Sequence, residues 1–173
     1  QYILGTAEFM SLEFKVNKHT LIPRPETEEL VHWVLQEDFT SALDIGTGSG
    51  CIAISLAKQS EGNLSALDFS KEALEVAKEN AKNSEVAIGF IRADILQQPA
   101  LQQTFDVIVS NPPYLLESDK KLMHTNVLKH EPHTALFVED EDALVFGSAG
   151  AASGTETTDA PTALSAVPDL SAM

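Results

Sequence analysis

Apolar positions along this chain recur with two different spacings, and the switch between them marks out a series of elements. After Pro25, Leu30, Val31, Val34 and Leu35 fall at helical spacing, which predicts a helix over 25–38 with one apolar stripe and places Trp33 at the edge of that stripe, in the core. Pro23 and Pro25 bias their predecessors away from helix, so residues 20–24 read as an extended entry, and Pro25 suits a first helical turn. Glu26, Glu28 and Glu29 then lie at the positive end of that helix. Short apolar runs at 42–45, 64–67, 86–91 and 105–109 predict strands. Between them, 51–58 reads as an apolar helix. A second helix over 71–83 is capped by Ser70, with Ala73, Leu74, Ala77 and Ala81 inside and Lys71, Glu75, Lys78, Glu79 and Lys82 outside. Strands alternating with helices predict an α/β fold: a parallel sheet of right-handed crossovers, with its site at the carboxyl ends of the strands.

Composition changes this picture at the end of the chain. From 147 to 173, 20 of 27 residues are Ala, Ser, Thr, Gly or Pro, and none is aromatic or basic, so the stretch reads as a low-complexity, disordered tail. The other end starts without Met in apolar sequence and reads as the middle of a longer protein. Charge narrows the function classes. Eleven Lys and Arg against 26 Asp and Glu give a formal net charge of −15, which disfavours general nucleic-acid or anionic-membrane binding. The single cysteine, Cys51, can make no internal disulfide and reads as a small core residue; with no apolar run long enough to span a bilayer and no basic leader, a cytoplasmic protein is expected.

The chemistry gathers at the predicted strand ends. Asp44-Ile45-Gly46-Thr47-Gly48-Ser49-Gly50 joins the first core strand to its helix, and alternate glycines permit a tight turn and close approach of a ligand. No Lys follows the loop, so it is not a triphosphate cradle, and the third glycine comes too early for the dinucleotide fingerprint. Asp44 before the loop would repel a pyrophosphate and attract a sulfonium or amino group. Asp68, ending the second strand, is placed to accept from both hydroxyls of an adenosine ribose. Asp94 after the third strand is placed to accept from the adenine amine, with Ile95 offering apolar contact to the ring. Three acidic strand ends around a glycine loop fit S-adenosylmethionine better than NAD; the plainer alternative is that these aspartates cap helices or turns.

The fourth strand runs into Ser110-Asn111-Pro112-Pro113-Tyr114. Two prolines stiffen the turn and remove two donors, so the Asn111 side-chain oxygen and the Pro112 carbonyl can act as a rigid double acceptor for an N–H₂ group, with Tyr114 a flat face against a planar substrate. Such an arrangement suits methylation of a delocalised nitrogen by orientation and electrostatics, without a nucleophilic side chain. The plainer alternative is an ordinary Asn-Pro turn.

Gln1-Tyr2-Ile3-Leu4-Gly5, Ala7-Glu8-Phe9, the segment from Leu21 to Glu28 (Leu-Ile-Pro-Arg-Pro-Glu-Thr-Glu), the glycine loop, Asn111-Pro112-Pro113-Tyr114 and Glu131-Pro132 together resemble the HemK/PrmC family, the peptide chain release factor glutamine N(5)-methyltransferases, over residues 1–146. The Asn-Pro-Pro-Tyr loop is shared with DNA adenine and some ribosomal RNA guanine methyltransferases; the Leu21–Glu28 segment is more specific. The resemblance implies a class I, Rossmann-like methyltransferase fold, a parallel sheet with helices on both faces and its C-terminal strands missing. S-adenosylmethionine would be held by Asp44, Ile45, Gly46, Thr47, Gly48, Asp68, Asp94, Ile95 and Asn111. The glutamine of a release factor's Gly-Gly-Gln motif would be gripped by Asn111, Pro112, Pro113 and Tyr114, of which Asn111, Pro112 and Tyr114 would be catalytic. Arg24, Glu26 and Glu28 would lie near the entrance, or serve only as helix-start charges.

Two departures from the family pattern set further expectations. The family's small helical domain is missing before residue 1, and its last strands are replaced by the tail. The chain then divides into an entry segment (1–24), a partial catalytic domain (25–146) and the tail (147–173), with core strands in the order third, second, first, fourth. The fourth is expected as an exposed edge, open to self-association unless the tail or a partner covers it. An inactive cofactor-binding fragment and a nucleic-acid amino-methyltransferase are the alternative functions. His124, His130 and His133 have no metal-ligand spacing and read as a solvated loop, as does the acidic run 139–142; no metal is expected.

Overall fold

The computed structural model describes residues 5–97, 101 and 103–111, with short strands at 115–116, 137–138 and 162–165. The entry segment opens with a hairpin that the sequence pattern did not separate from its surroundings. Strand β1 (Thr6–Phe9) pairs antiparallel with β2 (Leu12–Lys15), Ala7 opposite Phe14 and Phe9 opposite Leu12. Ala7, Phe9 and Phe14 turn inward, and the two rings meet edge to face with centroids 6.2 Å apart. The connecting Met10 and Ser11 both have positive φ, 50° and 60°. Such two-residue turns match the twist of a hairpin but favour Asn-Gly, and each side chain held there costs about 1–2 kcal/mol.

Helix α1 (Glu26–Val34) is shorter than the predicted 25–38, ending with Leu35 as its C-cap. Its buried stripe is Thr27, Leu30, Val31 and Val34. Trp33 is corrected here: it is 52% exposed, because position 33 lies more than a quarter turn from the centre of that stripe.

The parallel units follow as expected: β3 (Ser41–Ile45), α2 (Cys51–Gln59), β4 (Asn63–Asp68), α3 (Lys71–Asn83), β5 (Gly89–Arg92) and β6 (Val107–Ser110). The Ser70 hydroxyl caps α3 by accepting from the Ala73 N–H at 3.1 Å. Strands β7 (Leu115–Leu116) and β8 (Phe137–Val138) form a separate parallel pair. The main sheet runs β5-β4-β3-β6, all parallel, which is the predicted order, and then continues into β9 (Thr162–Ser165).

That last strand covers the fourth-strand edge from within the tail, one of the two covers expected for it, and corrects the reading of the whole tail as disordered. Val107 to Ser110 pair in register with Thr162 to Ser165, so a segment of the low-complexity stretch takes up the backbone groups that β6 would otherwise present to a second molecule. Backbone pairing needs no apolar side chains, which is why composition alone hid it.

Alternation along the strands sends residues to two unequal faces. Ala42, Leu64, Val107 and Val109 join the helices and the hairpin in one core with Phe9, Phe14, Leu30, Ile54 and Leu56. On the other face Leu43, Leu67 and Phe105 are buried, with Ile45, Ile91, Ile95 and Ile108 packed against them but only half-buried. No helix among the described residues is long and apolar enough to cross a membrane.

Candidate active site at the carboxyl ends of the strands

Strand β3 ends at Ile45 opposite Ser110 of β6, so the chain leaves the sheet side by side into Gly46 and into Asn111. Neighbouring strands lie about 4.8 Å apart, so the two loops begin within reach of one small molecule. The Ser110 hydroxyl fastens them by donating to the Ile45 carbonyl at 2.9 Å.

The glycine loop is braced from behind. Both the Gly46 and Thr47 N–H groups donate to the Leu67 carbonyl (2.8 and 3.0 Å), and the Gly48 N–H donates to Asp68 Oδ2 (2.9 Å). Three successive donors are thus turned toward β4. In a phosphate cradle such groups would face the ligand, so the loop is not built for an anion. At Gly46 and Gly48, with φ of 72° and 53°, a Cβ would meet nothing within 4 Å among the described residues, so on their side the outer face of the loop is open. Gly50 differs, because a Cβ there would stand 2.9 Å from Ile54 Cδ1 and 3.1 Å from Ala77 Cβ; this glycine lets α2 and α3 approach each other.

The three strand-end aspartates do three different things. Asp44 is fully buried; its Oδ2 accepts from the Thr47 hydroxyl (2.7 Å) and the Ala53 N–H (3.3 Å), bracing the loop and the start of α2, while Oδ1 is buried without a hydrogen bond. Burial pushes its carboxyl up to about 7, against the pull of the Thr47 and Ala53 hydrogen bonds. Asp68 stands at the mouth, Oδ2 on the Gly48 N–H and Oδ1 on the Ser70 N–H (2.9 Å), and desolvation raises its pKa. Asp94 is exposed and accepts from the Leu96 N–H (3.1 Å), opening the single turn Ile95–Gln97, in which Ile95 packs against the second core. Capping is therefore observed at all three. Each carboxylate oxygen has a second lone pair, so at Asp68 capping leaves acceptor capacity toward the mouth.

Asn111 is half-buried, and its Nδ2 donates to the hydroxyl of Thr27 at 3.1 Å. Thr27 is itself 4% exposed, in the first turn of α1. Next to it Glu28 reaches the other way, Oε1 accepting from the Met10 N–H of the strained hairpin turn at 2.7 Å. Glu28 thus has a specific partner; Glu26 is exposed at the helix start, and Arg24 is half-buried ahead of it. Pro112, Pro113 and Tyr114 lie outside the described residues, as do His124, His130, His133 and the acidic run. Among the described residues no group of three or more His, Cys, Asp or Glu could hold a metal ion.

Two residues that complete this arrangement were not singled out from sequence. Thr27 stood inside the quoted Pro-Glu-Thr-Glu segment, and a hydroxyl on the inner stripe of a helix was the available signal. Asn80 of α3 is 1% exposed; its Nδ2 donates to the Ser49 carbonyl (2.9 Å) and the Lys15 carbonyl (3.0 Å), and its Oδ1 accepts from the Lys15 N–H (2.8 Å). It ties the hairpin to the glycine loop, and only the unexpected hairpin gives it that meaning.

This sheet order, with a glycine loop at the strand ends, is the class I methyltransferase architecture; of the helices expected on both faces, the three among the described residues all cover one. The methyltransferase small domain model matches residues 26–147, and the chain belongs to that family. Similar curated proteins are the "Release factor glutamine methyltransferase" of Flavobacterium psychrophilum, 55% identical and aligned over 84% of this chain and 54% of the relative, and that of Lactococcus lactis, 48% identical over 84% and 55%. The chain spans about half the length of the curated relatives it matches. Among solved structures, the Pyrococcus abyssi tRNA (uracil-54, C5)-methyltransferase in complex with S-adenosyl-L-homocysteine aligns with TM-score 0.53 at 22% identity, over 62% of this chain and 28% of that one, a likeness of fold.

Proposed function

We propose that the chain carries the cofactor and acceptor halves of an S-adenosylmethionine-dependent methyltransferase acting on the side-chain amide of glutamine in the Gly-Gly-Gln motif of a peptide chain release factor, in the cytoplasm. The observation that carries this reading is the exit of the glycine loop and Asn111 side by side from the register-paired Ile45 and Ser110. A methyl donor held by one loop then meets an amide held by the other. The relatives of stated name make the release factor the preferred acceptor.

The residues present fit the cofactor. Open space on the outer side of Gly46 and Gly48 admits a ligand close to the backbone, and the inward-turned N–H groups offer an anion nothing. Asp68 would take the ribose hydroxyls on its remaining lone pairs, with Asp94 and Ile95 beside the adenine. Asp44, buried under the loop, would act through Thr47 and the loop backbone and through its negative potential, without direct contact. When bound, the cofactor supplies an electrophilic methyl carbon on a sulfonium.

The chain's own contribution is to orient the acceptor. An amide nitrogen is a poor nucleophile because its lone pair is delocalised; acceptors that hold its hydrogens turn the nitrogen toward the methyl and stabilise the positive charge that grows as the new N–C bond forms. Asn111 Oδ1 would be one such acceptor and the Pro112 carbonyl another, with Pro113 and Tyr114 shaping the grip. Transfer of that methyl would leave the sulfur as a neutral thioether, and the acceptors on the amide would let the surplus N–H proton pass to solvent.

Incubation with methyl-labelled cofactor and purified release factor tests the reading. Label is expected on the factor and absent from a factor whose Gly-Gly-Gln glutamine is replaced by alanine. Label on DNA or ribosomal RNA alone would overturn it, as would failure to bind S-adenosylhomocysteine.

A further inference from the structure

We propose that Asn80 is a positioning residue for the cofactor, holding the last peptide of the glycine loop in the shape that binds it. That role rests on the glycine loop being the cofactor's seat, and it goes beyond that reading in naming a side chain of α3, 31 residues from Ser49, that sets how tightly the loop binds.

A side-chain amide is costly to bury unless its polar atoms find partners, and Asn80 is 1% exposed among Val76, Ala77 and Ala81 of its own helix. Its Oδ1 accepts from the Lys15 N–H at 2.8 Å, and its Nδ2 donates to the Lys15 carbonyl at 3.0 Å and the Ser49 carbonyl at 2.9 Å. A backbone N–H only donates and a carbonyl only accepts, so these three bonds admit one orientation of the amide. The hairpin supplies two of them for a reason of strand geometry. The Val16 N–H donates to the Gly5 carbonyl at 2.9 Å, and neighbouring residues of a strand point their backbone groups to opposite sides, so Lys15 presents both of its groups away from β1. The Asn80 amide pairs with them as a further strand would, and its second hydrogen goes to Ser49.

Ser49 stands between Gly48 and Gly50, with φ of 53° and 83°, the residue type with the widest choice of backbone conformation. No side chain caps α2, whose N-cap is Gly50. The peptide joining Ser49 to Gly50 is instead held at both ends, its carbonyl by Asn80 and its N–H on the Thr47 carbonyl at 2.8 Å. Turning that peptide would strand a buried hydrogen of Asn80 without its acceptor, so Asn80 favours one conformation of the loop before any ligand arrives. A ligand that binds only one conformation loses affinity in proportion to the fraction of chains that hold it. That fraction is what Asn80 sets.

Calorimetry with S-adenosylhomocysteine on the wild-type chain, Asn80→Ala and Val76→Ala tests the role, at a temperature where circular dichroism shows each chain folded. Val76 is buried one turn earlier on α3 and makes none of these hydrogen bonds, so its truncation loosens the helix without touching the loop. Asn80→Ala should raise the Kd about tenfold, the size of one lost hydrogen bond, and raise the KM for cofactor with it, while kcat for methyl transfer at saturating cofactor is kept; Val76→Ala should leave the Kd unchanged. A second readout needs no variant, and decides the matter should Asn80→Ala fail to fold. By hydrogen exchange on the wild type, saturating S-adenosylhomocysteine should slow the Lys15 N–H, held by Asn80, several-fold and leave the Val16 N–H, held by Gly5, unchanged. If the wild type binds no S-adenosylhomocysteine, the cofactor reading falls and the role of Asn80 with it. Binding by the wild type with an unchanged Kd in Asn80→Ala, an equal rise in Val76→Ala, a fall in kcat with KM unchanged, or a Lys15 N–H indifferent to the ligand would each overturn the role of Asn80 alone.

Discussion

The two loops that leave the sheet beside each other are built in opposite ways. The glycine loop is a local structure: Gly46, Thr47 and Gly48 give their N–H groups to Leu67 and Asp68 of the adjacent strand, and Asp44 braces Thr47 three residues on. The Asn111 side depends on distant chain, since its amide is held by Thr27, and Thr27 is placed by a helix that itself touches a hairpin at residues 6–15. A proposed cofactor site made from two consecutive crossover units can persist wherever those units fold. An acceptor site made from three separate segments exists only when all of them dock. The difference teaches that cofactor affinity and turnover should separate cleanly on mutation.

The largest effect that would test this separation is on turnover. Asn111→Ala removes the proposed hydrogen-bond acceptor and should lower methyl transfer by about 100-fold or more, the order seen when one transition-state partner is lost. Affinity for S-adenosylhomocysteine, measured by calorimetry, should change by less than about threefold, below 1 kcal/mol. A parallel collapse of both would show that the two halves are one unit. The converse variant is Asp68→Ala, which deletes a partly desolvated carboxylate from both the Gly48 N–H and the mouth of the site. Cofactor affinity should fall by roughly 10- to 100-fold, the size of a lost charge-assisted hydrogen bond. Turnover at saturating cofactor should be largely kept.

The same division explains what the sequence made legible. Every element of the glycine-loop half was foreseen, because each strand, loop and helix there is contiguous: apolar runs at 42–45 and 64–67, glycines at alternate positions, Ser70 ahead of α3. The strand order followed from the family resemblance carried by the motifs, since right-handed crossovers alone leave several orders open. The hairpin was not foreseen, since Met10-Ser11 carries no turn signature and only the tertiary fit of Phe9 and Phe14 makes the left-handed turn tolerable. The Thr27 contact was hidden because pairing across 84 residues leaves no local pattern. Trp33 was misplaced by reading stripe membership too broadly, and β9 was missed because backbone pairing with β6 owes nothing to side-chain hydropathy.

A smaller effect would sharpen the account of how the cofactor half holds its shape. Gly50→Ala puts a Cβ at a φ of 83° and 2.9 Å from Ile54 Cδ1, with Ala77 Cβ at 3.1 Å behind it. Left-handed strain and overpacking together should cost about 2–4 kcal/mol in urea unfolding. The loss should fall on stability and leave Asn111-dependent turnover in the surviving folded fraction unchanged.

The smallest effect concerns Asp44, and its sign separates a bracing carboxyl from an ordinary surface one. Burial lifts its carboxyl from 3.8 to about 7, and the buried Oδ1 has no hydrogen-bond partner. Below pH 4 the group is protonated in both folded and unfolded chains, so its contribution to stability is full there. Between about 4 and 7 the folded state holds a proton that the unfolded state has released, and stability must fall as pH rises through this window. Asp106 has the opposite sign, because its hydrogen bonds from Thr40 and Ser41 lower its pKa, and its effect is confined to more acid solution. Thermal unfolding between pH 5 and 7.5 should therefore show a midpoint that declines with pH in the wild type and declines less in Asp44→Asn. The remaining slope should belong in part to Asp68, whose pKa is raised by the same cause. Saturating the site with S-adenosylhomocysteine should flatten the wild-type slope further, because its ammonium favours the ionised carboxylate beneath the loop. An Asp44→Asn midpoint with the full wild-type slope would show that the buried carboxyl ionises at its ordinary value.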